Sequence, residues 1–384
     1  MLNNVKIKKM LKSTIYKPLT QLNKVLPKKT NWIMLYIPSM GLRHNLKPLL
    51  DYLIENEYNK KYKIICAIED LSFKGREAEN VFYISKVKAQ LVFMFCRHVF
   101  YTAGQIPIKP SSTQIVIHMN HGTSDLKAMG ALTNINNGDE FFFTYILVPS
   151  EIYVPIVSAE YLCDEKNVKV CGEPMTDALF NKKMKYELGN YKKIIVWLPT
   201  FRQSKDLNYS DSSESLLPMF QMEDYDALNE YLKKYDFLLV VKLHTSQDTE
   251  GISTEKYSNI LLLTNDQFVK RNFDLYELLP QTDALIGDYS SVSLQYLLLD
   301  KPLAFVVPDM EEYKEKRGFC FENPEDYMPG PIIKEKQQLY RFFDDIYFEK
   351  DEYIEERNRV RNIIFKYQDG ENSKRVLELS DIKK

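Results

Sequence analysis

From Asn31 onward, short apolar runs rich in Val, Ile, Phe and Tyr alternate with longer stretches in which apolar residues recur every three or four positions. The first pattern is that of buried strands and the second that of amphipathic helices, so their alternation predicts parallel sheets covered by helices. One series of strands is expected at Trp32–Ile37, Tyr62–Ile68, Val81–Ile84, His98–Tyr101, Ile115–Met119 and Phe142–Val148, with helices over Leu46–Ile54 and Ala89–Phe95. A second series follows Lys193, at Ile194–Leu198, Phe237–Leu243, Ile260–Leu263, Ala284–Ile286 and Leu303–Val307, with helices near Tyr225–Lys234, Leu275–Leu279 and Val292–Leu299. The simplest account is an α/β protein of two Rossmann-like units facing across a cleft. The expected division is a basic amphipathic segment over 1–30, one unit over 31–180, a second over 181–335, and a helical tail over 336–384. The polar loop 203–222 directly follows a strand, where α/β proteins bind ligands.

Ahead of the alternation, Leu11, Ile15, Leu19, Leu22 and Val25/Leu26 form an apolar stripe flanked by Lys12, Lys17, Lys24, Lys28 and Lys29. Residues 1–30 carry eight lysines and no acidic residue; the whole chain has 51 Lys+Arg and 53 Asp+Glu, so residues 31–384 are left with 43 against 53. Such a segment reads as an interfacial helix drawn to an anionic membrane surface, or as a terminal helix packed on the body with its lysines in water. Pro18 and the lack of a small-residue cleavage site argue against a cleaved signal peptide. Because the body is acidic, no nucleic-acid partner is expected. A hydrophobic content of 45% with 13 Gly and 17 Pro excludes a disordered or collagenous chain. No apolar run approaches the roughly 18 residues of a membrane span. The five cysteines show no C-x-x-C pair, which suggests a reducing compartment and neither a disulfide framework nor a zinc site.

Two of the five histidines stand at predicted strand ends: His121, opening His121-Gly122-Thr123, and His244, after Lys242. An imidazole there, beside a glycine that lets a ligand approach, suits general base work at neutral pH. Asp288-Tyr289-Ser290-Ser291 joins an apolar strand to a helix, so that Ser290 and Ser291 either cradle a phosphate on free N–H groups or simply cap the helix. Thr200 and Arg202 follow another strand, and Arg202 and Arg317 could clamp a phosphate. Asp224-Tyr225-Asp226 has the form of a divalent-cation site, but it leads into a helix, where capping is the expected role. The chain contains no Walker A loop, no G-x-G-x-x-G after its first strand and no G-x-S-x-G elbow. No metal and no cofactor is expected.

Taken in order, His121-Gly122-Thr123, Pro199-Thr200-Phe201-Arg202, Lys242-Leu243-His244, Asp288-Tyr289-Ser290-Ser291, Lys301-Pro302, Asp309, Tyr313, Arg317-Gly318, Pro329-Gly330 and Asp369-Gly370…Ser373…Arg375 resemble the CDP-glycerol glycerophosphotransferases. That family includes teichoic acid primases and polymerases and capsule polymer enzymes. The resemblance implies a GT-B-like fold and a CDP-activated polyol donor held mainly by the C-terminal unit. It also implies a lipid-linked glycan or polymer acceptor, reached by the N-terminal unit at the cytoplasmic face of the membrane. It maps the two family histidines onto His121 and His244 as catalytic residues. Ser290, Ser291, Asp288, Arg317, Lys242, Arg202, Thr200, Gly122 and Thr123 become the donor and phosphate site. Other readings of the same fold are a nucleotide-sugar glycosyltransferase and a catalytically silent membrane scaffold. The sequence departs from the family after His121-Gly122-Thr123, where Ser124-Asp125-Leu126 precede Lys127 and the family usually has its lysine three positions on, at Gly172-Glu173-Pro174-Met175, which lacks an arginine, and at Thr245, where proline is common. The departures bear on the acceptor and on the choice of glycerol or ribitol.

Overall fold

A computed structural model of the chain describes residues 15–38, 41–133, 140–181, 185–200, 203–204, 209–210, 217–243 and 257–384. The first seven strands are β1 Lys29–Tyr36, β2 Lys63–Ile68, β3 Val81–Ser85, β4 Cys96–Tyr101, β5 Ile115–His118, β6 Tyr145–Val148 and β7 Val168–Val170. They form one parallel sheet in the order β3-β2-β1-β4-β5-β6-β7. The next are β8 Lys193–Trp197, a two-stranded ribbon of β9 Gln203–Ser204 with β10 Tyr209–Ser210, β11 Phe237–Lys242, β12 Ile260–Leu263, β13 Ala284–Gly287, β14 Leu303–Val306 and β15 Ile332–Ile333. Apart from the ribbon, they form a second parallel sheet in the order β12-β11-β8-β13-β14-β15. Each sheet starts at a central strand, builds outward on one side and then returns to build on the other. Strand order therefore reverses between β1 and β4 and again between β8 and β13, the positions at which such sheets take ligands. All residues of β13 and β14 are buried, as strands covered on both faces must be.

On one face of the first sheet, Ile33, Leu35, Ile64, Cys66, Phe100 and Ile117 pack with helix Leu46–Glu55 and with Val376, Leu377 and Ile382 near the C-terminal end. On the other, Met34, Tyr36, Ile65, Val99 and Val116 meet Ala89 and Phe93 of helix Lys86–Phe93, together with Tyr16, Leu19 and Leu26. The predicted N-terminal stripe is thus divided. Helix Lys17–Val25 turns Leu19 toward the sheet and leaves Ile15, Leu22 and Val25 exposed, while Leu11 lies outside the described residues. Its orientation is set by Asn23, which is fully buried and donates to Lys109 O (2.9 Å) and Gln114 Oε1 (2.7 Å). Gln114 in turn donates to Phe93 O and Cys96 O, and Lys28 donates to Asn23 O and Met94 O, so the two helices on this face are joined by polar bonds. Because β1 begins at Lys29, the end of the expected 1–30 segment is part of the sheet.

The chain clusters into two compact units that interleave. One gathers Met1–Thr123, Gly138–Asp177 and Asp369–Lys384; the other gathers Ser124–Asn137 and Ala178–Gln368. The stretch expected as one tail over 336–384 is divided between them. Helices Lys336–Tyr347 and Ile354–Ile364 belong to the second unit and helix Asn372–Leu379 to the first. The return is clasped by Asp177, whose carboxyl oxygens accept the N–H groups of Asn372 (2.9 Å) and Ser373 (2.8 Å). Asn372 also donates to Thr176 Oγ1 (3.1 Å). Gly172, at φ +80°, lies so close to the Asn372 amide that a β-carbon would collide with it. Burial pushes the Asp177 carboxyl up to about 7, against the opposing pull of these donors and Arg375.

Candidate functional site

In the second unit, the carboxyl ends of β8 and β13 lie level, Trp197 opposite Ile286. Just beyond them, Thr200 donates its N–H to Asp288 Oδ2 and its hydroxyl to Asp288 Oδ1, each at 2.6 Å. The Ser290 N–H also reaches Asp288 Oδ1 (3.1 Å), and the Asp288 N–H reaches Ser293 Oγ (3.2 Å). The buried Asp288 carboxyl thereby fastens the loop after β8 to the turn after β13. Gly287 allows this turn to close, since a β-carbon there would run into the Ser293 hydroxyl. Ser290 is the N-cap of helix Ser291–Gln295, yet its side chain makes no capping bond, and both Ser290 and Ser291 are half-buried. The first N–H groups of a helix have no partner within it and carry the positive end of its dipole. Tyr289 is braced inward: it is buried, stacked on Tyr313 at 4.4 Å, and donates to Asp309 Oδ1 (3.0 Å). The motif residues Asp309 and Tyr313 thus hold the serine turn in place. Lys301 likewise ties two loops, donating to Pro280 O and Thr282 O.

Lys242 ends β11, half-buried, with its ammonium 5.3 Å from the centre of the Phe268 ring. Arg317 follows helix Met310–Lys316 and donates from Nε to Ala128 O (3.3 Å) and from Nη2 toward Met129 Sδ (3.3 Å). Its neighbours pair with the same segment, Ala128 N–H to Gly318 O (3.0 Å) and Cys320 N–H to Leu126 O (2.9 Å). Arg202 and His244 lie outside the described residues.

In the first unit, β5 runs through Met119 and Asn120 into His121, whose side chain is exposed. Asn120 adopts φ +53° and takes the His121 N–H on its own Oδ1 (2.7 Å), while its amide donates to the Tyr161 hydroxyl (3.0 Å). Gly122, at φ +137°, turns the chain so that Thr123 can give both its N–H (2.6 Å) and its hydroxyl (3.2 Å) to Glu173 Oε1. Asn45, fully buried, donates to Met119 O (2.8 Å) and Asn120 O (3.0 Å) and accepts from the Met175 N–H (2.9 Å). Three loops of the carboxyl edge are thereby locked around His121. They also carry a residue that the sequence did not single out: the exposed His44, edge-on to His121 with ring centres 6.0 Å apart. His118, by contrast, is buried against Tyr101 at 4.5 Å, and burial pushes its pKa down to about 3, so it stays neutral.

Sequence reasoning missed Asn45, Glu173 and His44 because their meaning lies in partners many residues away. The departure noted at Gly172-Glu173-Pro174-Met175 was a signal, and it marked a segment that supports the His121 loop. Asp224, of the Asp-x-Asp triplet, accepts the Gln221 N–H (2.8 Å) and pairs with Lys336 (2.6 Å) at the start of helix Tyr225–Tyr235. Among the described residues, no cluster of three or more His, Cys, Asp or Glu side chains is arranged to hold a metal ion.

Two parallel sheets with reversal points, each bearing polar chemistry at its carboxyl edge, define a two-unit α/β protein of the GT-B-like kind. The wall teichoic acid polymerase TagF has the same fold, with a TM-score of 0.75 at 20% identity over 98% of this chain and 94% of that one; a histidine-to-asparagine variant of TagF has also been solved after soaking with CDPG. The chain belongs to the CDP-glycerol:poly(glycerophosphate) glycerophosphotransferase family, whose sequence model matches residues 19–380. It is 25% identical over 390 residues to the teichoic acid ribitol-phosphate polymerase TarK of Staphylococcus aureus, covering 96% of this chain and 72% of TarK. It is 26% identical over 353 residues to TarL, the teichoic acid ribitol-phosphate polymerase of the same organism, covering 87% of this chain and 59% of TarL.

Proposed function

We propose that the protein transfers a polyol phosphate, glycerol phosphate first among the candidates, from a CDP-linked donor to a hydroxyl of a lipid-linked or polymer acceptor, releasing CMP. The observation that carries this for a member of the family is the Thr200–Asp288 clasp at the reversal point of the second sheet. It sets the start of the Ser291 helix at the edge where such sheets take nucleotide phosphates. The second unit is the donor unit, in which Ser290, Ser291, Arg317 and His244 stabilise the pyrophosphate, with Lys242 and Arg202 adding positive charge. Thr200 and Asp288 position the two loops. The first unit is the acceptor unit. There His121 removes the proton of the acceptor hydroxyl as its oxygen attacks the donor phosphorus, with Gly122 and Thr123 shaping its loop. Positioning and charge neutralisation then carry most of the rate, and the proposal requires no metal.

The acceptor places the protein at the inner face of the membrane. Among the described residues, no helix is long and apolar enough to cross one. The outer faces of helices Lys17–Val25 and Lys86–Phe93 support peripheral attachment. They expose Leu22, Val25, Val87 and Leu91, and their charged residues are Lys17, Lys24, Lys86 and Lys88, with no acid. The test is a donor screen with a defined lipid acceptor. CMP released from CDP-glycerol or CDP-ribitol is the expected result and also settles the polyol. Turnover of nucleotide sugars alone would replace this reading with a glycosyltransferase, and no turnover of either donor class would favour the scaffold.

A further inference from the structure

We propose that His44 is a positioning residue for proton transfer at His121, keeping that ring in its proton-accepting form. The inference rests on the assignment of His121 as the general base. The two rings stand 6.0 Å apart, edge to face, on loops that Asn45 bolts together: its amide holds the carbonyls immediately before His121, and it directly follows His44 in the chain. Each loop carries a left-handed residue beside that joint, His44 at φ +53° and Asn120 at φ +53°, a conformation non-glycine residues seldom adopt. The separation is therefore a built feature of the carboxyl edge.

In the transfer step the acceptor oxygen bonds to the donor phosphorus, its proton passes to a ring nitrogen of His121, and the P–O bond to CMP breaks with its electron pair leaving on CMP. A proton already on His121 blocks this step, whereas a proton on His44 leaves it open. Two imidazolium charges at this spacing in an exposed setting repel enough to move a pKa by about half a unit, so the second proton is taken up less readily than the first. Buried His118 is neutral, Arg43 precedes His44, and Lys47 in the next helix pairs with Asp51. The Tyr161 hydroxyl accepts from the Asn120 amide, and the Glu173 carboxyl accepts from the Thr123 N–H and hydroxyl.

The test compares pH profiles of kcat/KM for the full chain and for His44→Asn, His44→Lys and His44→Glu with CDP-glycerol and one acceptor. Asn tolerates the left-handed backbone and is the mildest change. The acid limb is expected to rise by about half a pH unit in His44→Asn, to rise further in His44→Glu and to fall in His44→Lys. A purely structural role would lower kcat without moving the limb. Ring-proton NMR titration of His121, identified by its loss in His121→Ala, reads the same shift in variants too slow to assay. An unmoved limb together with an unmoved His121 titration in all three variants overturns the inference. Activity of His121→Ala within about threefold of the parent instead overturns the base assignment, since a general base contributes at least about a hundredfold.

Discussion

At the end of β5, His121 projects from a loop held by hydrogen bonds of Asn120, Thr123, Asn45 and Glu173. His121→Ala is therefore expected to keep its thermal midpoint while turnover falls about 10²–10⁴-fold; a parallel loss of both would make the ring structural. Asp288 is the opposite case. Asp288→Ala strips the Thr200 and Ser290 donors of their acceptor, which typically costs about 1–3 kcal/mol per buried group left unpaired. It is expected to lower both the thermal midpoint and the affinity for CDP-glycerol, with calorimetry reading the first and titration the second. His121 and Asp288 were legible because each sits at a strand end beside glycine or serine, a local signal. Asn45, Glu173 and His44 were not, because a side chain's bond to a backbone many residues away leaves no trace in local pattern. The same limit hid the work of Asp309 and Tyr313, which read as part of a motif and prove to brace Tyr289.

The strands were the most legible elements, since burial on both faces turns a parallel strand into an unbroken apolar run, as in β11 and β13. The short edge strands β7 and β15 and helix Tyr153–Tyr161 were missed; runs of three and two residues fall below any periodicity. In the N-terminal helix the stripe was seen, but its inward and outward sides were settled by a polar residue, Asn23. Because Asn23 and the first two residues of β1 lie within the first 30 residues, the proposed membrane face is better tested by substitution than by deletion. Val25→Asp with Leu91→Asp is expected to weaken binding to anionic vesicles at least about tenfold, or ~1.4 kcal/mol, with activity on a soluble acceptor retained. Equal vesicle sedimentation of parent and variant would place the attachment surface elsewhere. The C-terminal helix carries its own pH dependence through Asp177. Burial raises its folded pKa to about 7, so its contribution to stability is fully present below the unfolded value near 3.8 and is lost as pH climbs through about 7. Asp177→Asn keeps one acceptor oxygen and cannot ionise. Its thermal midpoint relative to the parent should therefore improve steadily from pH 4 to pH 7, whereas a constant offset would show that the carboxyl does not titrate there.

At the scale of the molecule, neither unit is a contiguous piece of chain. The first borrows Val376, Leu377 and Ile382 to complete its core. Full burial of such side chains contributes about 1.5–3 kcal/mol each, and their sum is comparable to the whole 5–15 kcal/mol margin of a typical domain. Truncation after Gln368 is thus expected to leave the second unit protease-resistant and the first digestible, as limited proteolysis with mass spectrometry would read; two resistant fragments would contradict the interleaved core. Gly172→Ala, crowding Asn372 at a positive φ, should reproduce a milder form of the same loss. The order of synthesis gives this topology a further meaning. The residues that close the first unit are translated only after Ala178–Gln368, so at about 5–20 residues per second the first unit waits roughly 10–40 s on the ribosome with an open apolar groove. The second unit can finish before the first, which precedes it in the chain. A nascent chain that stalls before Asp369 leaves a complete second unit and a first unit that protein quality control can recognise as unfinished.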